Sequence, residues 1–104
     1  MTELDNIVAE IKQATDYQAN RRTLREHIQT ELHMTYGNGL FKITPDLISF
    51  VATWNSDELY LEDTYENPIK VDRTEFLELA QQRYQAVMND WHQQYNELRR
   101  LRRV

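Results

Sequence analysis

The chain contains no cysteine, and it has only two glycines and two prolines among its 104 residues. The absence of cysteine excludes disulfides and thiolate catalysis, and it is compatible with a reducing cytoplasm. No apolar run approaches the roughly 20 residues of a membrane-spanning helix. The first ten residues carry three acids and no base, unlike a signal peptide. These absences favour a cytoplasmic protein without a membrane span.

The sequence also lacks the motifs of common catalytic and metal-binding sites. Its histidines are His27, His33 and His92, and they form no HExxH arrangement. Its serines are Ser49 and Ser56, and neither lies in a nucleophile elbow. The two glycines lack the third glycine and the Gly-Lys-Ser/Thr ending of a phosphate loop. We therefore expect no enzymatic activity, cofactor, metal or small-molecule substrate.

The formal net charge of −5 argues against general nucleic-acid binding, but the charge is unevenly distributed. Between Asp57 and Glu66 lie five acids and no base. This segment is interpreted as a solvated edge that protects a hairpin, with a partner-docking face or a cation site as alternatives. Near the C-terminus are four arginines: Arg99, Arg100, Arg102 and Arg103. They either complement the helix dipole or contact an acidic partner or nucleic-acid phosphates.

The most regular stretch runs from residue 73 to residue 104 and predicts one long helix. Two series of residues repeat every seven positions along it and are apolar except for Gln94, namely Leu77, Tyr84, Trp91 and Leu98, and then Ala80, Val87, Gln94 and Leu101. Asp72 and Glu75 resemble a capping box at its start. Glu75 and Glu78 near the start and the arginines near the end match the helix dipole. The local signals therefore all favour a helix here.

The length of this helix has a consequence for partners. Thirty residues of helix span roughly 45 Å, whereas a compact domain of this size has a diameter of roughly 33 Å. The far end must therefore lie on another helix of the chain or on a partner. Its apolar strip is formed by Trp91, Tyr95, Leu98 and Leu101. We expect this strip to be a partner interface and favour a homodimer with Trp91 near its centre.

Residues 3 to 34 are also predicted to be helical. One apolar stripe begins at Leu4 and another at Leu24, and the stretch between them is polar. Either one long helix or two helices broken near a second capping box, Thr23 with Glu26, satisfies this pattern; one long helix is favoured. Gly37 suits the left-handed position that ends a helix.

The middle of the chain predicts a small head. Residues 40–44 form a strand, residues 45–54 a helix capped by Thr44, and residues 59–63 and 69–72 a β-hairpin. Phe50 and Trp54 are expected to be buried between this helix and the hairpin. The predicted fold is mostly helical α+β, with an N-terminal helical arm (1–35), an αβ head (36–72) and a long C-terminal helix (73–104).

Four stretches resemble small uncharacterised proteins of T4-like tailed phages that infect marine cyanobacteria. They are residues 39–45 (GLFKITP), 59–63 (LYLED), 67–71 (NPIKV) and 88–92 (MNDWH). The resemblance implies a virus-encoded protein acting in the host cytoplasm or in the particle. It implies no catalytic or binding residue.

Together these observations predict a non-enzymatic protein–protein interaction protein, a phage assembly or structural accessory factor acting through its long helices. The alternative is a phage-encoded regulator that binds a host protein or nucleic acid through the C-terminal arginines.

Overall fold

The computed structural model describes residues 2–102, without the side chains of Thr2, Glu3 and Arg102. The elements are α1 (Thr2–Glu31), β1 (His33–Tyr36), β2 (Gly39–Lys42), α2 (Pro45–Thr53), β3 (Glu58–Glu62), β4 (Pro68–Asp72) and α3 (Arg73–Arg102). Two long helices flank a small head that holds two antiparallel strand pairs and a central helix, which confirms the predicted fold class.

The molecule is elongated because the two long helices run away from the head. Its principal extents are 69 × 23 × 18 Å and its radius of gyration is 19.9 Å. A compact domain of this length would have a radius of gyration of about 13 Å. The helix α3 therefore extends beyond the head, and α1 accompanies it as an antiparallel neighbour.

The helix α1 is continuous from Thr2 to Glu31, so the single long helix is confirmed over two broken ones. The prediction that it continues to Met34 is wrong, because His33–Tyr36 pairs with Gly39–Lys42 as a hairpin. Gly37 does adopt a left-handed backbone, with φ of 57°. It does so in the turn between β1 and β2 and not at a helix end, because a tight hairpin turn also needs a positive φ.

The head is built around two phenylalanines from different elements. Phe41 of β2 and Phe76 of α3 are 2% and 0% exposed, and their ring centroids lie 5.2 Å apart in an edge-to-face arrangement. Tyr36 makes a second edge-to-face contact with Phe76 at 5.3 Å. From the second hairpin, Leu59 and Leu61 of β3 are buried in the same core. Both hairpins and α3 therefore share one core.

The central helix α2 begins and ends as predicted but packs through a different face. The Thr44 hydroxyl accepts a hydrogen bond from the Leu47 N–H at 3.1 Å, which confirms the N-cap. Val51 is its buried residue, whereas Phe50 is 48% and Trp54 40% exposed. The predicted burial of Phe50 and Trp54 is wrong. Phe50 is turned by about 100° from Val51 on α2, and Trp54 is the extended residue that caps the C-terminal end of α2. Their rings lie against each other, with centroids 5.6 Å apart.

Asp63 joins the two hairpins through a buried carboxylate. Three backbone N–H groups donate to it: Asn67 at 2.9 Å, Tyr65 at 3.0 Å and Leu40 at 3.2 Å. The backbone hydrogen bond from Asn67, helped by those from Leu40 and Tyr65, lowers the pKa of Asp63 below its usual value of 3.8 although burial opposes this. The charged carboxylate is thus the form that the fold stabilises.

This geometry predicts how stability depends on pH. The folded pKa of Asp63 lies below the unfolded one, so its contribution is present above the unfolded pKa and is lost as pH falls through the folded pKa. Asp63→Asn is expected to be less stable than the wild type near about pH 7, with a difference that narrows below about pH 4. Urea denaturation across this range measures it. Glu62→Gln, at an exposed neighbouring site, is the control; equal pH dependence in all three proteins would contradict the prediction.

Candidate functional site

The candidate site is the two-helix arm, which we define as residues 14–28 of α1 and residues 87–102 of α3. Where the arm meets the head, a small apolar cluster holds it: Ile28 and Val87 of the arm and the adjoining Leu32 are 0%, 5% and 4% exposed. Leu24 and Trp91 pack against this cluster from the outer side. Beyond them α1 carries Arg21 between Leu24 and Tyr17, and no described side chain of either helix is fully buried there.

The four predicted interface residues are divided between two grooves. Trp91 and Tyr95 line one groove, and Leu98 and Leu101 line the other. Apart from Leu24, different residues of the two helices line the two grooves. Trp91 and Leu98 are seven residues apart and therefore lie only about 20° apart on α3. They line different grooves because α1 lies along this face of α3, so the strip predicted as one surface is divided by α1 into two grooves.

The first groove, called the Trp91 groove below, has a volume of about 640 Å³. Its lining combines apolar or aromatic side chains of α3 with arginines of α1, and the residues are Gln18, Arg21, Arg22, Leu24, Arg25, Met88, Trp91, His92 and Tyr95. Trp91 and Tyr95 are each half-buried. The groove is thus apolar along α3 and polar along α1.

The groove has its shape because α1 is polar where α3 is aromatic. At the level of Trp91 and Tyr95, α1 presents Gln18, Arg21 and Arg22. Arginine side chains lay their methylene stems along apolar surface while the charged ends stay in water, so they cover the aromatic rings only in part. Burying the rings fully would have required large apolar residues at these positions of α1.

The electrostatics of the Trp91 groove differ from those of the head. Among the nine described lining residues, three are arginines and none is acidic. The head between His33 and Leu79 carries nine acidic and three basic side chains. A ligand with negative charge is therefore attracted to the arm and repelled by the head.

The second groove is smaller than the Trp91 groove. Its volume is about 400 Å³, and it is lined by Asn20, Thr23, Leu24, His27, Gln94, Glu97, Leu98 and Leu101. Leu101 is 58% exposed, and His27 is paired with Glu31 at 2.9 Å. Gln94, the polar member of the second seven-residue series, donates a hydrogen bond to the Asp90 carboxylate at 2.9 Å. This side of the arm offers less concave apolar surface.

The C-terminal arginines are not equivalent. Arg99 lies over the Tyr95 ring, 5.7 Å from its centroid, as in a cation–π pair. Arg100 forms an ion pair with Glu97 on its own helix. The side chain of Arg102 and the whole of Arg103 lie outside the described residues. The arginines that line the Trp91 groove come instead from α1.

Sequence reasoning missed Arg21, Arg22 and Arg25 as part of the site. The signal that could have found them is the register of two antiparallel helices. Aligning the apolar residues at 24 and 28 with those at 91 and 87 would have brought the arginines beside Trp91 and Tyr95.

The acidic segment contributes no assembled cation site. Asp63 is committed to backbone hydrogen bonds, and Glu58 pairs with Lys70 at 3.0 Å across the hairpin. Within residues 2–102, no cluster of three or more His, Asp or Glu side chains is arranged to hold a metal ion. The rest of the segment is exposed, with Tyr60 and Tyr65 each 69% exposed among the acids.

No family model, no curated protein and no solved structure matches this chain. Among the helices of residues 2–102, none combines the length and the apolar content that a bilayer crossing requires.

Proposed function

We propose that this protein is a non-enzymatic interaction factor that binds a partner protein in the Trp91 groove of its two-helix arm. The observation that carries the proposal is the pairing of half-buried Trp91 and Tyr95 with three arginines in one open groove. Tryptophan, tyrosine and arginine are the residues most enriched among those that dominate binding energy at protein interfaces.

The shape of the groove favours a helical segment as the occupant. A furrow between two antiparallel helices accepts a third helix, whose apolar face then covers the exposed seam. Carboxylates along the edge of that segment would meet Arg21, Arg22 and Arg25, whose planar guanidinium groups suit carboxylates. We therefore propose an acidic amphipathic helix as the partner segment.

The biological setting of this proposal rests on the sequence resemblance to phage proteins. That resemblance supports an assembly or structural accessory role in the host cytoplasm or in the particle. The absence of catalytic motifs supports a non-enzymatic role.

A second candidate is a regulator that binds single-stranded nucleic acid on the same arm. Arginines beside stacking aromatics are the combination that single-stranded nucleic-acid sites use, and Arg99 extends the positive charge beyond Tyr95. The affinity for such a strand would fall steeply as the salt concentration rises and would depend little on the nucleotide sequence. The acidic head weighs against it, so we favour the protein partner.

The proposal predicts the outcome of selecting random peptides, displayed on a surface, against the whole protein. Enriched peptides are expected to carry apolar residues at helical spacing with Asp or Glu beside them. Replacing Arg21 and Arg25 together by Gln is expected to weaken their binding about tenfold or more, because two charge-assisted contacts to the peptide carboxylates are lost. Fluorescence anisotropy with a labelled selected peptide measures this.

The matched control is the double replacement Arg83→Gln with Arg100→Gln, which removes the same charge from exposed positions of α3 that do not line the groove. It is expected to weaken binding less than about threefold. Equal weakening by both pairs would mean unspecific attraction to the positive charge of the two helices. The protein-partner proposal would be overturned if no peptide were enriched while a single-stranded oligonucleotide bound tightly and with strong salt dependence. That result would support the second candidate, the nucleic-acid-binding regulator.

A further inference from the structure

The outer end of α1 lies beyond the described end of α3. Ile28 packs with Val87, and Leu24 packs with Trp91 one turn farther out, so the helices run antiparallel in step. Arg102, the last described residue of α3, is then level with about residue 13 of α1. Residues 2–12 of α1, called the tip below, therefore have no described part of α3 beside them.

The tip carries a compact apolar stripe. Leu4, Ile7, Val8 and Ile11 are 62%, 48%, 57% and 62% exposed. Their spacing of three, one and three residues places them on one helix face. A contiguous exposed group of large aliphatic side chains on a helix marks an interaction surface.

This stripe does not continue the face of α1 that meets α3. At 100° per residue, its centre is turned by roughly 130° from the direction of Leu24 and Ile28. An extension of α3 along its present course would therefore leave the stripe uncovered. The surface needs an element from a different direction.

We infer that the tip is a homodimerisation element, in which the tips of two copies pack antiparallel about a two-fold axis. The spacing three, one, three reads the same in both directions along the helix. Antiparallel pairing therefore places Leu4 of each copy opposite Ile11 of the other, and Ile7 opposite Val8. Such a self-complementary patch is what a two-fold interface requires. This inference does not depend on what occupies the Trp91 groove.

Charge complementarity supports a second copy as the occupant. Asp5 and Lys12 lie on the same flank of the stripe, since their seven-residue separation is close to two helical turns. In the antiparallel pair, Asp5 of each copy comes beside Lys12 of the other, which gives two opposite-charge contacts related by the two-fold axis. On the other flank the same seven-residue spacing joins Glu10 to Glu3 in the sequence, so the attraction between the two copies comes from the Asp5 and Lys12 flank alone.

The test is sedimentation velocity over a concentration series up to about 100 µM, far above a micromolar Kd. The wild type is expected to form a dimer. Ile7→Gln with Ile11→Gln is expected to be monomeric with unchanged helix content, because glutamine is a good helix former. The matched control replaces two exposed apolar residues of the head, Phe50→Gln with Leu79→Gln, and is expected to remain dimeric.

A charge exchange then tests the antiparallel arrangement. Asp5→Lys alone is expected to weaken the dimer about tenfold, because two attractive contacts become repulsive. Adding Lys12→Asp to the same chain restores opposite charges and is expected to restore the dimer. If the double variant did not regain the dimer, the antiparallel pairing would be overturned.

Two further outcomes would overturn the inference as a whole. One is a monomeric wild type at the highest concentration. The other is a dimer that survives Ile7→Gln with Ile11→Gln but is lost in Trp91→Ala, which would move the interface to the arm. Neither outcome changes the peptide-binding test of the Trp91 groove, so the two proposals fail separately.

Discussion

Phe76→Ala is expected to lower the free energy of unfolding by about 3–5 kcal/mol, the usual range for truncating a fully buried phenylalanine. Phe76 is 0% exposed and makes edge-to-face contacts with both Phe41 and Tyr36. Its ring therefore joins α3 to the β1–β2 hairpin, and the cavity left by alanine cannot be filled without moving one of these elements. Urea denaturation followed by circular dichroism measures the loss.

Phe50→Ala is the matched control, because it removes the same atoms from a ring that is 48% exposed. It is expected to cost less than about 1.5 kcal/mol, since much of the ring is already in water. Similar losses for both phenylalanines would mean that α2 packs through its other face, and the core described above would then be incorrect.

Ile28→Ala is expected to cost about 2–5 kcal/mol, the range for removing a buried isoleucine side chain. Ile28 is 0% exposed and lies at the centre of the apolar cluster that holds α1 to α3. Within that cluster the packing is completed by Val87 and Leu32, so truncation loosens the joint between the helices. Helix content should fall together with stability, because a helix in water depends on packing for most of its stability.

Leu79→Ala provides the comparison on α3, where the side chain is 40% exposed. It is expected to cost less than half as much as Ile28→Ala, without loss of helix content in native buffer. Thermal and urea denaturation of both variants measure the two losses in free energy of unfolding. If Ile28→Ala cost less than about 1 kcal/mol, α1 would not be fixed on α3 at this point.

Local signals were sufficient for much of the fold. The helix α3 and its start at Asp72 could be predicted because capping and seven-residue periodicity act within a few residues of sequence; the Asp72 carboxylate indeed accepts from the Glu75 N–H at 2.9 Å. The β3–β4 hairpin followed from alternation of apolar and polar residues, with Leu59 opposite Val71 and Leu61 opposite Ile69.

The missed strand shows where local signals compete. The apolar pattern of α1 continues past Glu31, and no proline or glycine occurs before Gly37. The sequence alone therefore predicts a helix up to Met34. Pairing with Gly39–Lys42 decides otherwise, since it buries Met34 in the head. Strand pairing is a tertiary contact, and a single segment does not reveal it.

The prediction that Phe50 and Trp54 are buried was wrong for a related reason. An apolar helix has more than one candidate face, and periodicity alone does not say which face meets the core. Arg73 binds the carbonyl oxygens of Val51 and Ala52 at 3.0 Å and 2.6 Å. This contact fixes the end of α2 on the start of α3 and was not foreseeable from either segment alone.

The Trp91 groove itself could not be predicted from the sequence. The sequence singles out Trp91 and Tyr95, because an aromatic strip on a long helix needs a covering surface. Their arginine neighbours and the separation of Leu98 and Leu101 into another groove depend on how α1 is rotated against α3. That rotation is set by the packing of Ile28 on Val87 and has no local signature.

The connectivity of the strands has a consequence for the order in which the molecule assembles. Each strand pairs with the next strand along the chain, so both hairpins close short loops at small entropic cost. The arm instead unites segments from the two ends of the chain, a contact that must wait for the head to bring them together. We therefore expect α1 and α3 to pack together from Ile28 outward. Transient separation of the two helices is expected to begin at the end far from the head and to stop at the head. Amide protons of α1 should accordingly exchange with solvent in a gradient, fastest toward Leu4 and slowest beside Ile28.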